Sequence, residues 1–268
     1  DWRQGEGLMK VQYTDPVIDG WKHNLGDVFF SGYWGTEWYG EYVSMNIDQT
    51  AHTLEAKGNT IYGGIVGGKD RRFRAYNVYE EIDQPGEWYI DRSTGMMYLY
   101  PLDDGTDADL RTTSLDQNLI ISGGAAYTTF KGLTVTGGRK SGFQISGSDH
   151  VMISDCDINS FEEKAVLLEG GTNNGVLNCH IHHTGTGGVL VTGSGDMDTL
   201  TSGESYVTNC EINDFSLLSS YGLGIQLVDT IGFLIDHNEF YNCPYATIRF
   251  QGSLNVMEYN KFHHAVLN

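Results

Sequence analysis

The chain has 268 residues, enough for one large domain or two modest ones, and carries 35 acidic against 16 basic residues for a formal charge of −19. That charge repels phosphate backbones and anionic headgroups, and no apolar run approaches the roughly 18 residues of a spanning helix, so neither nucleic acid nor a membrane is an expected partner. With 35 Gly and only 4 Pro, and with Thr, Ser, Asn, Tyr and Val plentiful, the composition points to an all-β chain of short strands and tight turns.

The opening "DWRQGEGLMK" is neither a Met start nor a charged-then-apolar leader, so a processed or excised chain is expected. From there to about residue 110, "VFFSGYWGTEWYGEYVSMNID" and "TIYGGIVGG" look like antiparallel strands between Gly-rich turns, and "PGEWYIDRSTGMMYLYP" reads as a hairpin across Arg92 to Gly95. A β-sandwich-like domain over 1–110 fits. Trp34 and Trp38, in a Gly-flanked stretch, are candidates for stacking on sugar rings, with Trp88 and Tyr89 beside them; packing in the core or hairpin is the alternative. The acidic "LDDGTDADLRTT" at 102–113 marks the boundary.

Beyond it the sequence repeats. A hydrophobic residue, two spacers, a small residue, one spacer and a second hydrophobic residue recur as "FKGLTV", "ISDCDI", "VLNCHI", "VTNCEI", "IDHNEF" and "MEYNKF". The fourth position holds Leu133, Cys156, Cys179, Cys210, Asn238 and Asn260, in steps of 23, 23, 31, 28 and 22 residues. A second strand follows, with inward pairs Phe143 and Ile145, Val166 and Leu168, Val189 and Val191, Ile225 and Leu227, and Ile248 and Phe250. Coils of this size without a helical pattern predict a right-handed parallel β-helix over 111–268, of about six coils. The six column residues should share one interior layer. The three cysteines of the column are expected as buried free thiols, and Asn238 and Asn260 as partners of each other or of turn backbone.

"NCHIHH" raises the question of metal. His180 should point outward, while His182 and His183 sit at a corner that His263 and His264 repeat. A zinc site needs three or four convergent ligands, and Cys179 faces the other way, so no metal and no cofactor are expected. Turn satisfaction, a groove lining, sugar binding and proton transfer remain as readings of these side chains.

At "NVYEEIDQPGEWYIDRSTGMMYLYP" (77–101), followed by the repeat, the sequence resembles secreted bacterial carbohydrate-active proteins that join a right-handed β-helix to a β-sandwich, nearest to glycoside hydrolase families 120 and 141, with their β-xylosidase, xylanase and fucosidase activities. The resemblance covers roughly residues 20 to 268. It implies an oligosaccharide or polysaccharide substrate. It also implies an Asp on a further strand after "NKFHHAVLN", near position 269, so that the chain is an internal segment and part of the catalytic pair lies beyond residue 268.

Glycoside hydrolysis needs two carboxyl groups about 5–5.5 Å apart for retention or about 6.5–9.5 Å for inversion, distances that acids one or two coils apart supply. Glu169, Asp214 and Asp229, flanking the second strand and its preceding corner, are the catalytic candidates. Insertions at 192–205 and 215–222 would wall that surface. Gln226 and Arg249 on the outer side of the second strand, with His183 and His264 at the corners, are candidate substrate contacts. Asp155, Asp157, Glu211 and Glu239 fall on the exposed side of the first strand, where a solvated face is the default. A glycoside hydrolase of a plant-type glycan such as xylan or a fucosylated oligosaccharide is the leading reading. A polysaccharide lyase or epimerase, which needs cations or Ca²⁺ against a uronate, and a non-catalytic glycan-binding or structural solenoid are the alternatives.

Overall fold

A computed structural model describes residues 9–35, 39–60, 72–102 and 110–265. The chain divides into two compact units, Asp1–Leu110 and Arg111–Asn268. Among the described residues no helix is long and apolar enough to cross a membrane.

In the N-terminal unit, five antiparallel strands pair in the order Lys10–Gln12, Thr53–Ala56, Glu41–Asp48, Phe29–Gly32 and Phe73–Tyr76. Alternation along them sends Phe30, Met45, Leu54 and Ala56 inward, where they pack with Ile18, Trp21 and Trp34. A separate hairpin joins Trp88–Asp91 to Met96–Leu99, as the turn chemistry predicts. Its turn is closed by Gly95 N–H donating to the Asp91 carbonyl at 2.8 Å, with Gly95 at φ 74, and by the Asp91 carboxylate accepting from Ser93 N–H at 2.9 Å.

The second unit is a parallel β-helix of three six-stranded sheets. Each full coil contributes one short strand to each. In the third coil these are Gly175–Leu177 on the first face, His180–Thr184 on the second and Gly187–Thr192 on the third. The repeat of the sequence therefore contains two strands where one was read, because the column residue lies in the bend between the first and second faces. Every coil makes that bend with a left-handed residue: Gly132, Asp155, Asn178, Asn209, His237 and Tyr259, with φ from 52 to 66. Glycine, Asn and Asp tolerate this region best, which is why the bends read as polar.

The interior is filled by ladders. Val135, Ile158, Ile181, Ile212 and Phe240 stack behind the second face; Phe143, Val166, Val189 and Ile225 stack behind the third. The column is interior through its middle, with Cys156, Cys179, Cys210 and Asn238 all buried and the four cysteines free. Its ends differ. Leu133 is 39% exposed, and of the second-strand residues Phe250 is 61% exposed rather than inward. On the third face the strand of this coil, Ile248–Arg249, ends before Phe250.

Candidate functional site on the second face

The expected site residues fall on different parts of the molecule. Trp34 is 2% exposed, donates its indole N–H to the Glu41 carbonyl at 3.0 Å and stacks on Phe73. Its ring is spent on the core, so it has no face for a sugar; Trp38 lies outside the described residues. Trp88, about half exposed, instead borders a cleft of about 860 Å³ in the N-terminal unit that Trp21, Tyr76 and Glu87 also line.

On the third face, parallel register lines up Gln144, Leu167, Leu190, Gln226 and Arg249 as one outward row. Beside it run Ser146, Glu169, Thr192 and Val228. Glu169 accepts from Gln144 Nε2 at 2.8 Å and from Ser146 Oγ at 2.6 Å, and these two bonds hold its carboxyl below the ordinary carboxylate value against the effect of burial. Asp229 is an exposed left-handed residue at the far corner of this face, continuing a column of Gly147, Gly170 and Gly193.

Asp214 stands at the opposite corner, in a left-handed column with Ser160, His183, Asn242 and His264. The strands between the two corners, Lys164–Glu169 and Leu223–Val228, are six residues long. At about 3.3 Å per residue that separates the corners by roughly 17–20 Å. Asp214 therefore cannot share a glycosidic bond with Glu169 or Asp229, while Glu169 and Asp229, two rungs apart at one edge, are about 10 Å from each other. Asp214, Asp229, His183 and His264 all sit at positive φ, a conformation that favours short polar side chains and that Tyr259 also adopts.

Among the described residues, a dense set of ionisable side chains lies on the second face. Its outward rows are Thr134, Asp157, His180, Glu211, Glu239 and Lys261, and beside them Thr136, Asn159, His182, Asn213 and Tyr241. Each member of the first row follows a column residue by one position, so the repeat itself carried the signal. Read as separate coils, these acids looked like a solvated face; read down the ladder, they are neighbours.

Their contacts run to one another and not to turn backbone. His182 Nε2 lies 3.3 Å from Asp157 Oδ1, and the His180 and His182 rings stack with centroids 4.1 Å apart. Asn213, 3% exposed, donates from Nδ2 to His180 Nε2 at 2.9 Å, and His180 Nε2 is 3.8 Å from Glu211 Oε1. Burial, then the neighbouring His180, lowers the His182 value. One rung on, Tyr241 donates its hydroxyl to Glu211 Oε1, and this bond to a carboxylate, with burial, pushes the phenol up to about 12. Glu239 Oε1 is held by Lys261 Nζ at 2.6 Å and His263 Nε2 at 2.8 Å, which keep its carboxyl below the ordinary range. The face thus presents an ionised carboxylate, a second carboxyl group one rung away with a phenol donor, and an imidazole pair.

A family model described as a right-handed β-helix region matches residues 117–199, and with the three parallel sheets it defines the solenoid as a right-handed parallel β-helix. A solved structure named "Glycoside hydrolase" superposes on 99% of this chain with a TM-score of 0.70 at 12% sequence identity. The chain spans 61% of the length of that structure. At such identity the likeness establishes the architecture. No curated protein matches the sequence.

Proposed function

We propose that the protein is a glycoside hydrolase whose reacting groups include Glu211 and Glu239 on the second face. The observation that carries this reading is their register: they are directly paired across adjacent parallel strands. Neighbouring strands are about 4.8 Å apart, so two outward carboxyl groups on one rung step lie near the 5–5.5 Å separation of a retaining pair. Likeness in fold to a structure named as a glycoside hydrolase is consistent with it.

The surroundings of Glu239 assign its role and leave the proton transfer to Glu211. Glu239, kept ionised by Lys261 and His263, is the nucleophile that attacks the anomeric carbon as the leaving-group oxygen departs. Glu211 is the acid that gives its proton to that oxygen, then acts as base for the water that releases the sugar. Tyr241 fixes the Glu211 carboxyl group through its hydroxyl. A charge of −19 and the presence of Lys261 as the one lysine of this row favour a neutral glycan over a uronate polymer. Xylan and fucosylated oligosaccharides are the substrates that the sequence resemblance suggests.

The test is hydrolysis of xylo- and fuco-oligosaccharides by the full-length protein and by Glu211→Gln and Glu239→Gln. Each variant should lose about 10²–10⁴-fold in kcat with its melting temperature unchanged. Glu169→Gln and Asp229→Asn serve as the comparison: loss in these and not in the first two would move the reaction to the third face.

A further inference from the structure

We propose that Asp157, His180 and His182 form a binding site for a divalent first-row transition metal of the zinc class, clasping two adjacent coils. This goes beyond the hydrolase reading and does not depend on it. One donor atom from each of the three residues lies within 4.8 Å of the other two. Donors 2.0–2.1 Å from a tetrahedral zinc sit about 3.4 Å apart, so modest side-chain rotation closes the set around an ion.

The placement follows from the ladder. Asp157 and His180 are paired across adjacent strands, and His182 is two residues on, on the same outward side. Cys179, which argues against zinc when the linear sequence alone is considered, is replaced as third ligand by an aspartate from the coil before. Two imidazoles and one carboxylate are a nitrogen-rich set that suits zinc, nickel or copper and suits the oxygen-seeking Ca²⁺ and Mg²⁺ poorly. Three protein ligands leave room for water.

Two neighbours support the geometry. Asn213 donates to His180 Nε2, so that nitrogen is unprotonated, and a metal ion bound there takes the place of this hydrogen bond. Asn159 donates to Asp157 Oδ1 and orients the carboxylate, the kind of outer contact that metal ligands carry. The terminal coil supplies an internal comparison. There His263 and His264 repeat the contact between His182 and His183, with Nδ1 atoms 2.7 Å apart in both pairs. But Lys261 takes the place of His180 in the row, so a cation stands where the second ligand is needed.

The experiment is calorimetric titration of the protein at neutral pH with Zn²⁺, together with Co²⁺ titration followed by visible d–d absorption. One equivalent should bind, His180→Ala, His182→Gln and Asp157→Asn should each weaken it by about tenfold or more, and His263→Ala should leave it unchanged. All four positions are on the outer surface, and circular dichroism verifies that the variants fold. The proposal fails if binding does not saturate at or below millimolar metal, if Ca²⁺ binds as tightly as Zn²⁺, or if the His180 and His182 variants bind as well as the parent. None of these readouts requires turnover, so hydrolysis can fail while metal binding stands, or the reverse.

Discussion

Asn260 receives two hydrogen bonds from Asn238 through one atom: its Oδ1 accepts the Asn238 backbone N–H at 2.9 Å and the side-chain Nδ2 at 3.0 Å. Asn238 in turn accepts the Cys210 N–H at 2.8 Å and donates to the Val207 carbonyl at 2.9 Å. These amides do for the last coils what Cys210 Sγ does for Cys179 N–H, at 3.4 Å, in the coil before. Asn238→Ala would leave the buried Cys210 N–H without its acceptor. We expect a loss of about 1–3 kcal/mol, read from the urea midpoint. An unchanged midpoint would show that water replaces the amide.

Asp214 separates a turn role from a chemical one. At φ 45 it occupies the left-handed region, where glycine is at ease and a β-branched residue is not. Asp214→Gly should keep the melting temperature close to that of the parent, whereas Asp214→Val should cost about 1–2 kcal/mol. Equal destabilisation by both would mean that the bond from Asn242 Nδ2, at 3.2 Å, matters more than the backbone.

The acid limb of the stability profile should report Glu169. Its folded-state value lies below the ordinary 4.5 because Gln144 and Ser146 donate to the carboxylate. Between the two values the unfolded chain binds more protons, so stability rises with pH there. The contribution is fully present above about pH 4.5 and is lost as pH falls through the folded value. Parent and Glu169→Gln should therefore diverge near neutrality and converge in acid, in chemical denaturation at a series of pH values. Parallel curves would rule out this linkage.

The spacing of Glu211 and Glu239 makes a stereochemical statement. In the proposed hydrolase, one rung step leaves no room for a water between nucleophile and sugar, so the first product formed should retain the anomeric configuration of the substrate. Proton NMR of the anomeric signals in the first minutes of reaction checks this. Inversion would require carboxyl groups farther apart, and Glu169 with Asp229 would become the pair to test.

How much of this was legible without coordinates depended on the range of the interaction involved. The solenoid announces itself because each coil must bury its own inward residues, so Ile158, Ile181 and Ile212 recur with the repeat whatever their distant neighbours are. The hairpin at Arg92–Gly95 was equally plain, since its turn is closed by residues within a few positions of one another. At Asp214 and Asp229, by contrast, polarity was read as chemistry where a left-handed backbone is a second reason for it. Trp34 looked like a platform because flanking glycines suggest openness, yet its neighbour Phe73 is 39 positions away in sequence and covers it.

What the amino-acid order determined by itself was thus the architecture: hydrophobic periodicity and turn residues act locally, and a one-dimensional stack repeats that local information coil after coil. What only the tertiary structure decided was which outward side chains meet. Asp157 and His180 are 23 residues apart, and Glu211 and Glu239 are 28, yet each pair is one strand spacing apart because backbone hydrogen bonds lock the coils in register. Insertions within coils alter the first number and leave the second untouched. That is why the outward rows of the second face could be assembled only in three dimensions.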